Sequence, residues 1–142
     1  MRIVLDTNVL VSGLINPEGT PAQIVNLLVN GRITVLYDSR ILQEYTEVLR
    51  RKKFDFDEGL INPLIDYLRN EGEYVAAEPI GGIKRFVDRD DQMFYEVATT
   101  GKARCIVTGN KEHYPKDEVV KSPKEFIELY LTESEQQRTE AT

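Results

Sequence analysis

The chain has 142 residues, 18 Lys and Arg against 24 Asp and Glu, one Cys and no Trp, which describes one globular domain of ordinary composition rather than two. A chain of this length buries roughly 68–70% of the surface it exposes when unfolded, enough for a core without disulfides or a structural metal. The net charge of −6 argues against a protein that coats nucleic acid through a broad positive field, but it leaves open a site whose working charge comes from bound cations.

Residues 2–6 are a short apolar run of the kind covered on both faces in a parallel sheet, and we read them as the first strand. Asp6 breaks the run and a charge follows Met1, so neither a secretion signal nor an anchor is expected; with no run of about 18 apolar residues anywhere, the expectation is a cytoplasmic protein without a membrane span. Thr7-Asn8 is placed to cap a first helix. Thr20-Pro21-Ala22-Gln23 opens a second as a capping box, and Gly31 ends it. Residues 33–37 alternate as a second strand. Asp38-Ser39 then opens a third helix, with apolar Ile41, Leu42, Tyr45, Val48 and Leu49 at offsets 0, 1, 4, 7 and 8. At about 100° per residue, Glu44 lies about 100° from the centre of that stripe and Glu47 about 160°, so Glu44 flanks the buried face and Glu47 points to water.

A helix over 57–71, a strand over 74–77 and a loop over 78–82 follow. Residues 89–100 read as a helix closed by Gly101, and 104–108 as a strand. Cys105, within the apolar stretch 103–107, reads as a buried reduced thiol, which makes thiol-protease chemistry a poor reading. Ser122-Pro123-Lys124-Glu125 repeats the capping-box pattern before the last helix. The domain is thus 1–131, and residues 132–142, with almost no apolar content and carrying −2 of the net charge, are expected to be a disordered tail. No internal repeat is present.

Strands alternating with long helices imply right-handed crossovers and an α/β fold with a parallel sheet, in which ligands gather at the carboxyl ends of the strands. Asp6 ends the first strand, Glu44 rides on the helix after the second, and Asp88, Asp90 and Asp91 stand at the mouth of the helix leading to the strand that ends at Gly109-Asn110. Each has a plain explanation as a cap, a solvated position or a turn residue. Asp6 is the exception, because a carboxylate closing a buried strand is costly unless partnered. Together they form a set of hard oxygen donors suited to magnesium or a similar cation. Periodicity does not choose between Asp90 and Asp91.

These segments resemble the PIN-domain family: Asp6-Thr7-Asn8-Val9-Leu10, Glu44 within Ser39–Leu49, Asp88-Arg89-Asp90-Asp91-Gln92-Met93-Phe94, and Val107-Thr108-Gly109-Asn110. The resemblance extends over about residues 1–130. It implies a three-layer α/β/α domain with a central parallel sheet, and metal-dependent cleavage of single-stranded or structured RNA. Many small prokaryotic members resemble the toxin of a toxin–antitoxin pair, which implies a cognate antitoxin protein as partner and a homodimer or higher oligomer. By the same resemblance Asp6, Glu44 and Asp91 match the acidic positions, Asp88 an accompanying aspartate, and Thr7, Asn8 and Thr108 polar positions of the same pocket, with Thr108 counted among the catalytic residues. Asn110 stands where many members carry a fourth aspartate, so one charge fewer is available to a second ion.

The implied chemistry is a Mg²⁺- or Mn²⁺-dependent endoribonuclease with one or two ions held by Asp6, Glu44, Asp91 and Asn110. Arg50, Arg51, Lys52, Lys53, Lys84, Arg85, Arg89, Lys111 and Lys116 are candidate contacts for an RNA backbone. His113, the only histidine, excludes two-histidine ribonuclease chemistry and is read as a structural or phosphate-contacting residue. The alternatives are an RNA- or protein-binding module with a weakened site, motivated by Asn110, and an aspartyl-phosphate phosphatase on Asp6, disfavoured because Asn8 stands where that chemistry commonly has a second acid.

Overall fold

The computed structural model describes residues 1–79 and 89–140. In chain order the elements are β1 (Arg2–Leu5), α1 (Thr7–Ile15), α2 (Thr20–Val29), β2 (Thr34–Tyr37), α3 (Ser39–Leu49), α4 (Glu58–Glu71), β3 (Glu73–Tyr74), α5 (Arg89–Gly101), β4 (Cys105–Val107), β5 (Val120–Lys121) and α6 (Pro123–Glu140), with a single 3₁₀ turn over Lys111–His113. The five strands form one sheet in the order β3-β2-β1-β4-β5, every neighbouring pair parallel, with Ile3 opposite both Val35 and Cys105. This is the expected three-layer α/β/α architecture. Ile3, Val4 and Leu5 of the central strand have no exposed surface, as an apolar run covered on both faces must. α5 lies on β1, β2 and β4, while α6 lies on β4 and β5 and meets α2, which packs on α1.

Because all strands point the same way, Asp6, Asp38, Thr108 and Ser122, each the residue just past a strand, are carried to one edge. The ladder runs into these residues: Asp6 N–H donates to Val107 O at 2.9 Å and Thr108 N–H to Lys121 O at 2.9 Å.

Several local expectations are refined. Asp6, rather than Thr7 or Asn8, caps α1, and Asp38 caps α3 through Ile41 N–H. Thr20 is the first residue of α2 and not its cap: Gly19 takes that place without a side-chain bond, and Pro21 still fills the first turn. Gly31 ends the region of α2 as expected, at φ 72°, with Gly31 N–H on Leu28 O and Arg32 N–H on Leu27 O closing a left-handed cap. At the end of α5 the left-handed residue is Lys102, at φ 54°. Gly101 serves another purpose, since a Cβ there would meet Leu36 Cδ2 at 2.6 Å and hold the helix off the sheet. The strand over 74–77 shortens to Glu73–Tyr74, and β5 is too short for pattern reading to find. Cys105 is buried, and desolvation pushes its thiol up to about 12, so it is the inert core residue expected.

The tail expected to lack structure continues α6 as helix through Glu140. A helix already nucleated at Pro123 gains one bond for each residue added, and residues 133–138 are mostly good helix formers. Arg104, just before β4, also pairs with Glu133 at 2.7 Å. Polar composition correctly shows that this segment adds nothing to the core, but that does not prevent it from extending a helix.

The predicted capping box of α6 is formed: Ser122 N–H donates to Glu125 Oε1 at 2.8 Å and Glu125 N–H to Ser122 Oγ at 3.1 Å. Lys111 Nζ also reaches Glu125, at 2.8 Å, tying the loop after β4 to this helix start. The ammonium and the Ser122 contacts hold the Glu125 carboxyl down to about 2. A depressed carboxylate stabilises the fold above its unfolded value of 4.5, and that contribution fades as pH falls toward about 2. Glu125→Gln is expected to lower stability by about 0.5–1 kcal/mol at pH 7, the value of a helix cap at an exposed site, with the difference from the native chain closing by pH 2 in urea melts. A pH-independent difference would contradict the assignment.

Candidate active site

Asp6 is nearly fully buried at the end of the central strand and would be costly there without partners. Its Oδ2 accepts from Thr108 Oγ1 at 2.9 Å and from Tyr114 Oη at 2.9 Å, while Oδ1 accepts from Asn8 N–H at 3.3 Å. Oδ2 therefore takes both hydroxyls, and lone-pair capacity remains on Oδ1. Burial and the Asp6 charge push the Tyr114 hydroxyl far above its ordinary range, so it stays a donor.

Thr7, the first residue of α1, donates from Oγ1 to Glu44 Oε2 at 2.5 Å, which links α1 to α3. Glu44 is half-buried and Glu47 exposed, as the helical wheel required. The neighbouring Tyr45 is wholly buried and donates its hydroxyl to Leu5 O, so α3 is fastened to the end of β1 beside Asp6. Asn8 Oδ1 accepts from Gly109 N–H at 3.1 Å, and Asn110 N–H donates to Thr108 Oγ1 at 3.1 Å. The turn after β4 is thereby locked to α1 and to the hydroxyl that holds Asp6.

Asp91, in the first turn of α5, has a side chain 14% exposed, and His113 Nδ1 stands 3.4 Å from its Oδ2. Asp6, Thr7, Asn8, Val11, Ser12, Glu44, Val48, Arg51, Phe54 and Asp91 line one open cleft of about 380 Å³. Three carboxylates, from just past β1, from α3 and from α5, thus face one space. Asn110 and Thr108 sit behind Asp6 and are not on its lining. Asp88 lies outside the described residues, as do Lys84 and Arg85, and the side chains of Asp90 and Arg89 are likewise not described.

The carboxylates are hard oxygen donors, the chemistry that magnesium and manganese take. Among the described residues, however, no three Asp, Glu, His or Cys side chains are grouped closely enough to grip an ion between them. The donor set fits a divalent cation by kind and by sharing one cleft, but as placed it leaves positions for other oxygens to fill.

The candidate basic contacts separate. Arg51 lines the cleft, Lys53 Nζ sits 5.0 Å from the centre of the Phe54 ring, and Lys52 is exposed. Arg50 is turned to α4, donating to Asn62 Oδ1 at 2.8 Å. Lys111 is held by Glu125, and Lys116 lies with it around a separate recess near Tyr114.

Sequence reasoning missed the two tyrosines and a second polar cluster. Tyr45 was legible only as core, although a buried phenol requires an acceptor. The second cluster joins Asp38 and Glu96, both buried, through Arg40, whose guanidinium lies 2.7 Å from Asp38 and 2.9 Å from Glu96. Its signal was present: Glu96 falls between Tyr95 and Val97 in a fully buried stretch of α5, where a carboxylate needs a cation. Arg40 ties α3 to α5, the helices that carry Glu44 and Asp91.

Compared with known proteins, residues 2–112 match the family model described as PIN domain. An uncharacterised protein of Methanocaldococcus jannaschii is 32% identical over 143 aligned positions, which cover 92% of each chain.

Arg40→Ala removes the guanidinium that joins two buried carboxylates. The expected cost in urea denaturation is about 1–3 kcal/mol, kept to that range because the Arg40 side chain is half-exposed. A loss under about 0.5 kcal/mol would mean that solvent already screens the pair.

Proposed function

The chain belongs to the PIN-domain family, which points to nuclease-type hydrolysis, and from that premise and the cleft just described we propose that it is a Mg²⁺- or Mn²⁺-dependent endoribonuclease. The observation that carries this reading is that Asp6, Glu44 and Asp91, from three separate elements, line one cleft at the carboxyl edge of a parallel sheet.

Asp6, Glu44 and Asp91 would hold the cation, with Asn110 a candidate neutral donor and Asp88 an accessory. The chemistry such a cation supplies is activation of water and neutralisation of charge on the phosphate. The chain's own groups do the positioning. Thr108 and Tyr114 orient Asp6, Thr7 orients Glu44, and Arg51 places positive charge on the cleft wall. Since the three acids do not close on an ion unaided, one or two ions would be completed by oxygens of the RNA phosphate, as is common for magnesium. In the same reading the protein is the toxin of a toxin–antitoxin pair in the cytoplasm, silenced by an antitoxin and assembled as a homodimer or higher oligomer; the family resemblance supports this.

A second reading has one observation in its favour. The open spacing of the acids, with Asn110 in place of a fourth aspartate, also suits a module that binds RNA or a protein without cutting. Incubating labelled RNA with the purified protein separates the two. The first expects cleavage that needs Mg²⁺ or Mn²⁺ and stops with chelator. Asp6→Asn, Glu44→Gln and Asp91→Asn should each lower cleavage by about a hundredfold or more, at or beyond the upper end of what removing a metal ligand's supporting partner costs. Binding without cleavage across several cations would establish the second.

Tyr114→Phe removes one of two hydroxyls from Asp6 Oδ2. It is expected to weaken Mn²⁺ binding by about tenfold in calorimetry, the lower part of the range for such partners. Unchanged affinity would show that Thr108 alone orients the carboxylate.

A further inference from the structure

Beyond α3 the chain makes two successive turns, Phe54 N–H donating to Arg51 O at 3.1 Å and Asp55 N–H to Lys52 O at 3.1 Å. Asp55 is held at φ 53°, a left-handed conformation uncommon outside glycine. The result is a stacked aromatic pair: the Phe54 and Phe56 rings lie 5.5 Å apart at 16°. Phe56 packs against the hydrophobic core, and Phe54 lies on the lining of the cleft that holds Asp6, Glu44 and Asp91. Arg51 shares that lining, and the Lys53 ammonium rests over the Phe54 ring. A flat apolar ring, braced from the core side and flanked by two cations, matches one nucleotide: a base face for the ring and phosphates for the Arg and Lys.

We propose that Phe54, backed by Phe56 and flanked by Arg51 and Lys53, is a base-stacking platform that receives one unpaired nucleobase next to the phosphate in the acidic cleft. The proposal rests on the nuclease reading and adds the residues that would hold its substrate: a base within a duplex has both faces covered by its neighbours and cannot lie on a ring. The base takes the place of the exposed Lys53 ammonium over the ring, and that ammonium turns to a phosphate. Specificity for unpaired RNA then comes from stacking, which tolerates any base, while the acids and Arg51 address the backbone.

The test uses the full chain in chelator, so that binding is read without cleavage. The probes are a fluorescein-labelled ten-nucleotide RNA of mixed sequence, the same oligonucleotide with its central bases removed, and its duplex. Phe54→Ala should bind the intact single strand roughly tenfold more weakly, within the range for one base–aromatic stack. Native and Phe54→Ala chains should bind the abasic strand and the duplex alike. Phe54→Trp should keep the affinity, and because the chain has no other tryptophan its indole emission should be quenched by the intact strand and not by the abasic one. Equal binding of the intact strand by native and Phe54→Ala chains, or an equal loss on the abasic strand, overturns the platform. Should Phe54→Ala melt early, Phe54→Leu and the indole signal carry the same decision. Cleavage by the native chain with Mg²⁺ or Mn²⁺ is measured in parallel. Cleavage with no effect at Phe54 sinks the platform alone, stacking without cleavage sinks the nuclease reading alone, and neither binding nor cleavage sinks both.

Discussion

A single buried carboxylate organises this molecule. Asp6 closes the central strand, and an ionised group in that position must be surrounded by donors or the sheet would be destabilised. The donors come from three directions: the backbone of α1, the hydroxyl that ends β4 and a phenol from the loop beyond it. Satisfying one acid thus fixes the start of a helix, the end of a neighbouring strand and the loop carrying Asn110. The same atom arrangement leaves Asp6 Oδ1 with lone-pair capacity facing the cleft of the candidate site.

A comparable logic holds the other two acids. Glu44 is steered by Thr7 and sits beside Tyr45, whose hydroxyl is anchored on the last carbonyl of β1. Asp91 belongs to a helix coupled to α3 through Arg40. Glu44 is therefore held by a residue on another element, and Asp91 is carried by a helix that Arg40 ties to α3.

The sequence made the architecture legible where periodicity was strong. The apolar run ending at Asp6, the stripe of α3 and the capping box at Ser122 and Glu125 all correspond to observed elements, and the wheel placed Glu44 and Glu47 on the correct sides. What escaped was governed by tertiary contact. Strands of two residues carry no pattern, and the helix beyond Leu131 depends on nucleation upstream and on Arg104. A tyrosine in an apolar stripe does not announce where its hydroxyl goes. Four short motifs in family order singled out three acids that the fold brings to one cleft, but gave no sign that Tyr114 would donate to the first of them.

The outermost strands, β3 and β5, have two residues each. Such stubs offer almost no free ladder of N–H and C=O groups, so another chain has little to zip onto at either border of the sheet. Self-association by strand addition, and the fibrous aggregation it can seed, are correspondingly disfavoured. Among the described residues the surface that another copy could meet is therefore mostly side chains, which can be selective about the neighbour in a way that bare backbone is not.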